Sequence, residues 1–163
     1  MRPTTNAKSP ALNGSSAFWL LGFVILVVAI GIAIGFATAP GAWYETLAKP
    51  IFNPPPWVFG PVWTVIYILI AVAGWRIWMI APKSGAMGAW ALQMALNWLW
   101  SPIFFGAEMP WLAFAIIVVL LGAIALFIVL ARRIDKVAAW LFAPYALWVA
   151  FATLLNGSIA VMN

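Results

Sequence analysis

The chain has 163 residues, 67% of them hydrophobic and only 7% charged, with a formal net charge of +5, twelve tryptophans and neither histidine nor cysteine. A water-soluble domain of this size needs far more charge to cover its surface, so the composition demands lipid as solvent. Disulfides, zinc sites of the usual type, haem held by His or Cys, and Ser-His or Cys-His nucleophiles are all excluded.

Residues 1–16 are polar, carry Arg2, Pro3, Lys8, Pro10 and Gly14, and read as a short disordered tail ahead of a single membrane domain over 17–163. A bilayer core of about 30 Å needs roughly 20 apolar residues per spanning helix. The first such run covers 17–39. It ends Ala37-Thr38-Ala39-Pro40, a faint cleavage-site pattern, but the run is too long for a signal peptide and proline would follow the cut. Within it Gly31 and Gly35 form a GxxxG, which lets another helix approach closely, from this chain or from a second copy.

A proline-rich stretch, Lys49-Pro50-Ile51-Phe52-Asn53-Pro54-Pro55-Pro56-Trp57, leads into the second span, 56–80. Asn53 is the predicted N-cap and Pro54 or Pro55 suits the first turn, because those N–H groups have no helical partner. Pro61 is expected to kink or loosen the helix start. Trp57 falls at interface depth. Trp63 and Tyr67, four apart on one helix face, fit either helix packing or a cavity wall. Arg76, near the other end of this span, is expected to snorkel toward water.

The turn Ala81-Pro82-Lys83-Ser84-Gly85 precedes the third span, 86–105, where Gln93, Asn97 and Ser101 make a polar stripe at steps of four. Buried amides in lipid face the bundle interior, as interhelical glue or as ligand contacts. Trp100 flanks the same face. The short link Glu108-Met109-Pro110 makes the third and fourth spans antiparallel neighbours, and the fourth covers 111–131. Beyond the charge cluster Arg132-Arg133-Ile134-Asp135-Lys136 the fifth span covers 137–161, with Tyr145, Trp148, Ala152 and Asn156 along one side. The expected fold is all-α: a five-transmembrane-helix bundle with a Pro/Trp-rich first loop.

Orientation follows from the basic residues. Five spans put Arg2, Lys8, Arg76, Lys83, Arg132, Arg133 and Lys136 on one side and only Lys49 on the other. The positive-inside rule then places the N-terminus in the cytoplasm and the C-terminus outside, in a bacterial plasma membrane by preference, with an outer membrane as the alternative. The same distribution explains the net charge without a nucleic-acid partner. Glu45, Glu108 and Asp135 are the only carboxylates and all fall in or beside loops, which leaves no intramembrane proton carrier and no metal site. What remains is an aromatic cavity suited to a flat apolar ligand held by stacking and a few hydrogen bonds.

Three sequence blocks resemble the TspO/MBR family (tryptophan-rich sensory protein / translocator protein, the peripheral benzodiazepine receptor) over residues 17–160. The first joins Trp43-Tyr44, Lys49-Pro50, Pro54-Pro55 and Trp57-Val58-Phe59-Gly60-Pro61-Val62-Trp63-Thr64 with Tyr67. The second is Ala95-Leu96-Asn97-Trp98-Leu99-Trp100-Ser101-Pro102-Ile103-Phe104-Phe105-Gly106-Ala107. The third is Pro144-Tyr145 with Trp148, Ala150-Phe151-Ala152-Thr153 and Leu155-Asn156. The resemblance implies a homodimer whose pocket opens toward the first loop. It implies binding of porphyrins such as protoporphyrin IX and of synthetic isoquinoline carboxamide or benzodiazepine-type ligands, with no required cofactor. The implied ligand-binding positions are Tyr44, Trp63, Tyr67, Asn97, Trp100, Trp148 and Ala152. The implied roles are a tetrapyrrole receptor, carrier or stress sensor, a light- and oxygen-dependent porphyrin-degrading protein using Trp63 and Trp148, or a regulatory interaction protein. Phe52 stands where the family often has Trp, a change expected to affect the lid more than the pocket. Gly157-Ser158-Ile159-Ala160-Val161-Met162-Asn163 lacks the aromatic and basic residues of the animal cholesterol-recognition segment. In the third span Gly88 is followed by Leu92 rather than a small residue, with Ala91 and Ala95 as a substitute dimer seam.

Overall fold

The structure, a computed structural model, describes residues 14–163; of the tail expected over 1–16, residues 1–13 lie outside them and residues 14–16 already belong to the first helix. Among the described residues there are helices and no strand: α1 (Gly14–Ala37), α2 (Ala42–Thr46), α3 (Pro56–Ile80), α4 (Gly85–Ser101), a π-helical turn (Pro102–Gly106), α5 (Pro110–Ala131), α6 (Lys136–Leu141) and α7 (Ala143–Met162). Among the described residues four segments are long and apolar enough to cross a membrane: Gly14–Ala37, Pro56–Ile80, Pro110–Ala131 and Lys136–Met162. The expected third span is the exception. α4 has 17 residues, which reach about 26 Å, short of the bilayer core.

Proline explains where the predicted spans break. Pro102 has no N–H to continue α4, so the chain widens into the π-helical turn, closed by Ala107 N–H donating to the Pro102 carbonyl at 2.8 Å. Pro144 likewise divides the predicted fifth span into α6 and α7 at Phe142. At the start of α3 the expected Asn53 cap does not form. Pro55 occupies the N-cap position, Pro56 is the first helical residue, and there is no side-chain cap. Three consecutive prolines leave no nearby N–H for Asn53 to accept. Its carboxamide instead takes the Tyr44 hydroxyl at 3.3 Å and donates to the Pro54 carbonyl at 3.3 Å. Pro61 lies inside α3, which continues past it to Ile80.

The helices close a ring: α1 packs on α3, α3 on α6, α6 and α7 on α5, α5 on α4, and α4 on α1. α3 meets α6 far more extensively than α7, so the two separate toward the first loop. Val27, Ile66, Ile70, Ile77, Ile117, Ile124, Phe127, Phe142 and Tyr145 form the core. Small residues set the close approaches. A Cβ on Gly74 would lie 2.4 Å from the Trp90 indole, whose Nε1 donates to the Ile70 carbonyl at 2.9 Å. Gly31 of the GxxxG lies under the Tyr67 ring, where a Cβ would come within 2.3 Å, whereas Gly35 has open space around it. One glycine of the motif therefore serves internal packing and the other does not.

Arg76 does not snorkel. Its Nε pairs with Asp135 Oδ2 at 2.6 Å, with side chains only 15% and 6% exposed. The other carboxylate oxygen caps α6, accepting from Val137 N at 2.8 Å and Ala138 N at 3.3 Å. A charge this buried requires a partner, and the cap holds that partner in place. The Trp75 indole donates to the Ser16 carbonyl at 2.9 Å, which puts the start of α1 at the same end. At the opposite end the Asn163 side chain clasps the first loop, accepting from Ala48 N at 2.9 Å and donating to Ala48 O at 3.1 Å.

Candidate ligand-binding site

The polar stripe of α4 points inward and finds partners on two other helices. Tyr67 of α3 donates its hydroxyl to Asn97 Oδ1 at 3.1 Å. Asn97 Nδ2 donates to the Tyr145 hydroxyl of α7 at 3.0 Å, and Tyr145 in turn donates to Gln93 Oε1 at 3.0 Å. Gln93, Asn97 and Tyr145 are buried and Tyr67 is half-buried. Amides in lipid without such partners are expensive, and this chain of bonds joins three helices at one level. One donor is left over: the Gln93 Nε2 group is buried with no acceptor. Ser101, the third residue of the stripe, shares a 2.6 Å hydrogen bond with Thr38 at the end of α1.

Rings surround this network on the first-loop side. The α3 and α7 rings meet in two rungs, Trp63 edge-on to Tyr145 at 6.4 Å and Phe59 edge-on to Trp148 at 5.8 Å. Trp63 also leans on Tyr67 at 5.3 Å. Trp148 continues to Phe151 at 5.6 Å, and Phe52 of the first loop sits on Phe151 at 6.2 Å. Phe52 thus joins the first loop to the ring row of α7. Between α3 and α7, where the helices diverge, an open apolar groove of about 560 Å³ runs past Pro61, Val65, Leu147, Trp148 and Phe151. The Trp148 indole N–H is buried beside it without an acceptor.

The remaining expected positions gather around the π-helical turn. Trp100 stacks on Phe104 with centroids 5.3 Å apart, and its Nε1 donates to Asn156 Oδ1 at 3.0 Å. Asn156 also donates to the Pro110 carbonyl at 2.9 Å, so it fastens α7 to the start of α5. Tyr44 packs edge-on to Phe104 and Phe105. Burial raises the Tyr44 phenol above its ordinary pKa, with the Asn53 hydrogen bond pulling the other way. Lys49 Nζ lies 4.6 Å from the centre of the Tyr44 ring.

Of the seven expected positions, Trp63, Tyr67 and Asn97 form one connected group, with Trp148 joined to it through the paired rungs of α3 and α7. Tyr44 and Trp100 share the Phe104–Phe105 cluster one turn beyond. Ala152 is half-buried on α7, one turn past Trp148. Phe59, Phe104 and Phe105 were invisible as site residues in the sequence, because an apolar ring in a lipid-facing chain carries no signal of its own. Trp57, by contrast, stands 75% exposed on the bundle exterior, as an interface anchor does. Gly88, Ala91, Leu92 and Ala95 all lie on the exposed face of α4.

Comparison with known proteins agrees with the sequence blocks. Residues 23–162 match the pattern of the TspO/MBR family. The tryptophan-rich protein TspO of Archaeoglobus fulgidus is 37% identical over 88% of this chain and 96% of its own. The tryptophan-rich sensory protein of Cereibacter sphaeroides is 36% identical over 89% and 92%. The human translocator protein is 35% identical over 83% and 85%.

Proposed function

This chain belongs to the TspO/MBR family of membrane proteins, and on that premise we propose that it binds porphyrins of the protoporphyrin IX type between α3, α4 and α7, as a tetrapyrrole receptor or carrier. One observation carries the reading: the rungs Trp63–Tyr145 and Phe59–Trp148 stand beside an apolar groove into which no helix packs, with the Trp148 N–H buried and unpartnered. A flat macrocycle with peripheral acceptors complements both features. Isoquinoline carboxamide and benzodiazepine-type ligands offer the same combination of planar rings and a carbonyl acceptor. In this reading α4 and its π-helical turn together serve as the fifth span, the exposed α4 face forms a homodimer seam, and the Arg76–Asp135 end faces the cytoplasm.

The test is quenching of tryptophan fluorescence by protoporphyrin IX in detergent, first in the dark. Saturation at micromolar ligand or below, weakened about five- to hundredfold by Trp148→Ala, is the expected result, since base-sized stacking contacts are worth about 1–3 kcal/mol by such truncation and each 1.4 kcal/mol is tenfold. Unsaturable quenching would leave the rings as packing alone. A second reading, light- and oxygen-dependent porphyrin degradation, draws on the two indoles Trp63 and Trp148 standing on neighbouring rungs of the same ring ladder. Illumination of the complex should then bleach porphyrin absorbance, and Trp63→Phe with Trp148→Phe should abolish bleaching while dark binding persists.

A further inference from the structure

The groove between α3 and α7 opens sideways. Pro61 and Val65 form its rim on one helix and Leu147 on the other. Val65 and Leu147 are 57% and 75% exposed. Val65 lies about 14 Å along α3 from Pro56, and Leu147 about 17 Å along the span that begins at Lys136. Both distances fall near the middle of a hydrocarbon core about 30 Å thick. What faces the mouth is therefore acyl chain, not water. The wall chemistry matches, because every side chain lining the groove is apolar except the Trp148 indole, whose N–H is buried. Pro61 has no N–H to give to the Trp57 carbonyl, so the α3 wall lacks one rung of its helical ladder at this level.

The first-loop side of the same ring row is fastened. Phe52 sits on Phe151 at 6.2 Å, and Asn163 holds Ala48 by two hydrogen bonds. Tyr44 is bonded to Asn53 while it packs on Phe104 and Phe105. A ligand arriving from water would have to undo these contacts. A ligand dissolved in the bilayer meets an opening that already exists. We propose that the α3–α7 groove is a lateral port through which a flat tetrapyrrole dissolved in the hydrocarbon layer reaches Trp148, and that the first loop is a fixed wall rather than the gate. The proposal rests on the porphyrin-binding reading and adds to it the state and the route of the ligand: a ring already partitioned into the membrane, entering between two helices.

The chain has no cysteine, so Ala48→Cys with Asn163→Cys can be bridged by a short bis-thiosulfonate and released by reductant in one sample. Stopped-flow tryptophan quenching in phosphatidylcholine nanodiscs follows the association of protoporphyrin IX. Bridged and released protein should take up porphyrin at the same rate. Protoporphyrin IX dimethyl ester, which is neutral and resides in hydrocarbon, should also enter the bridged protein. Val65→Phe with Leu147→Phe narrows the mouth at its exposed rim. This pair should slow association and release together, by about tenfold or more, inside the roughly one to three decades that association rates span among variants of one site. Slower uptake on bridging, an ester that binds only after release, or uptake through the narrowed mouth as fast as in the parent would overturn the port and leave porphyrin binding standing. Saturable quenching by neither porphyrin in any of these proteins would overturn the functional reading and the port together.

Discussion

Gly31 and Gly35 look equivalent in sequence and differ completely in the fold. Replacing Gly35 with Ala adds a methyl group to open space and removes a poor helix former, so stability should be unchanged or rise by up to about 1 kcal/mol. Gly31→Ala drives the new methyl into the Tyr67 ring. Overpacking of this kind costs about 1–3 kcal/mol, and it moves the residue that opens the hydrogen-bond chain to Asn97. Thermal unfolding of the two variants in detergent should separate them, and only Gly31→Ala should weaken porphyrin quenching. Equal behaviour would mean that Tyr67 does not rest on α1. Tyr44 shows the same dependence on surroundings. Its raised pKa means that the folded state favours the neutral phenol, so its contribution is intact below the unfolded value near 10 and fades as pH climbs beyond it.

At the scale of elements, α6 depends on one side chain. Asp135 caps its first turn and neutralises Arg76 of α3. Asp135→Ala removes both functions and strands a half-buried guanidinium. The expected loss is about 3–5 kcal/mol, as for other buried pairs broken on one side. Asp135→Asn keeps an acceptor for the cap and should lose less. Denaturation in mixed micelles measures both, and an alanine variant as stable as the parent would show that Arg76 finds water instead. The π-helical turn tells a related story. It ends at Gly106, and two residues on Glu108 has a φ of 58°, the only positive value among the described residues. The long helices were legible from their apolar runs. The ends of the second and fourth spans were legible too, but the breaks at Pro102 and Pro144 were not, because those prolines act on hydrogen bonds whose alternatives depend on the neighbouring helix.

For the whole molecule, the bonds already place Arg76, Asp135 and the start of α1 at one end and the Asn163–Ala48 clasp at the other. Which end faces the cytoplasm is a testable matter. The chain has no native cysteine, so single Lys83→Cys and Glu45→Cys variants give clean labelling sites. An impermeant maleimide applied to intact cells should label Glu45→Cys and reach Lys83→Cys only after the membrane is opened. The reverse pattern would invert the assignment. The sequence made the inward polar stripe visible through the four-residue spacing of Gln93, Asn97 and Ser101. It could not show that Ser101 bonds to Thr38 while the other two join Tyr67 and Tyr145, since that split depends on how α1 and α7 are rotated about their axes. The unpaired Gln93 donor was likewise beyond reach, because a leftover group emerges only after every partner is placed.

The Asn163 side chain holds a loop made more than a hundred residues earlier. A chain grows from its N-terminus, and its early parts settle while later ones are still unmade. The first loop is therefore latched only once α7 has been made, and because α7 itself carries Tyr145, Trp148 and Phe151, the latch and one side of the ring ladder arrive together.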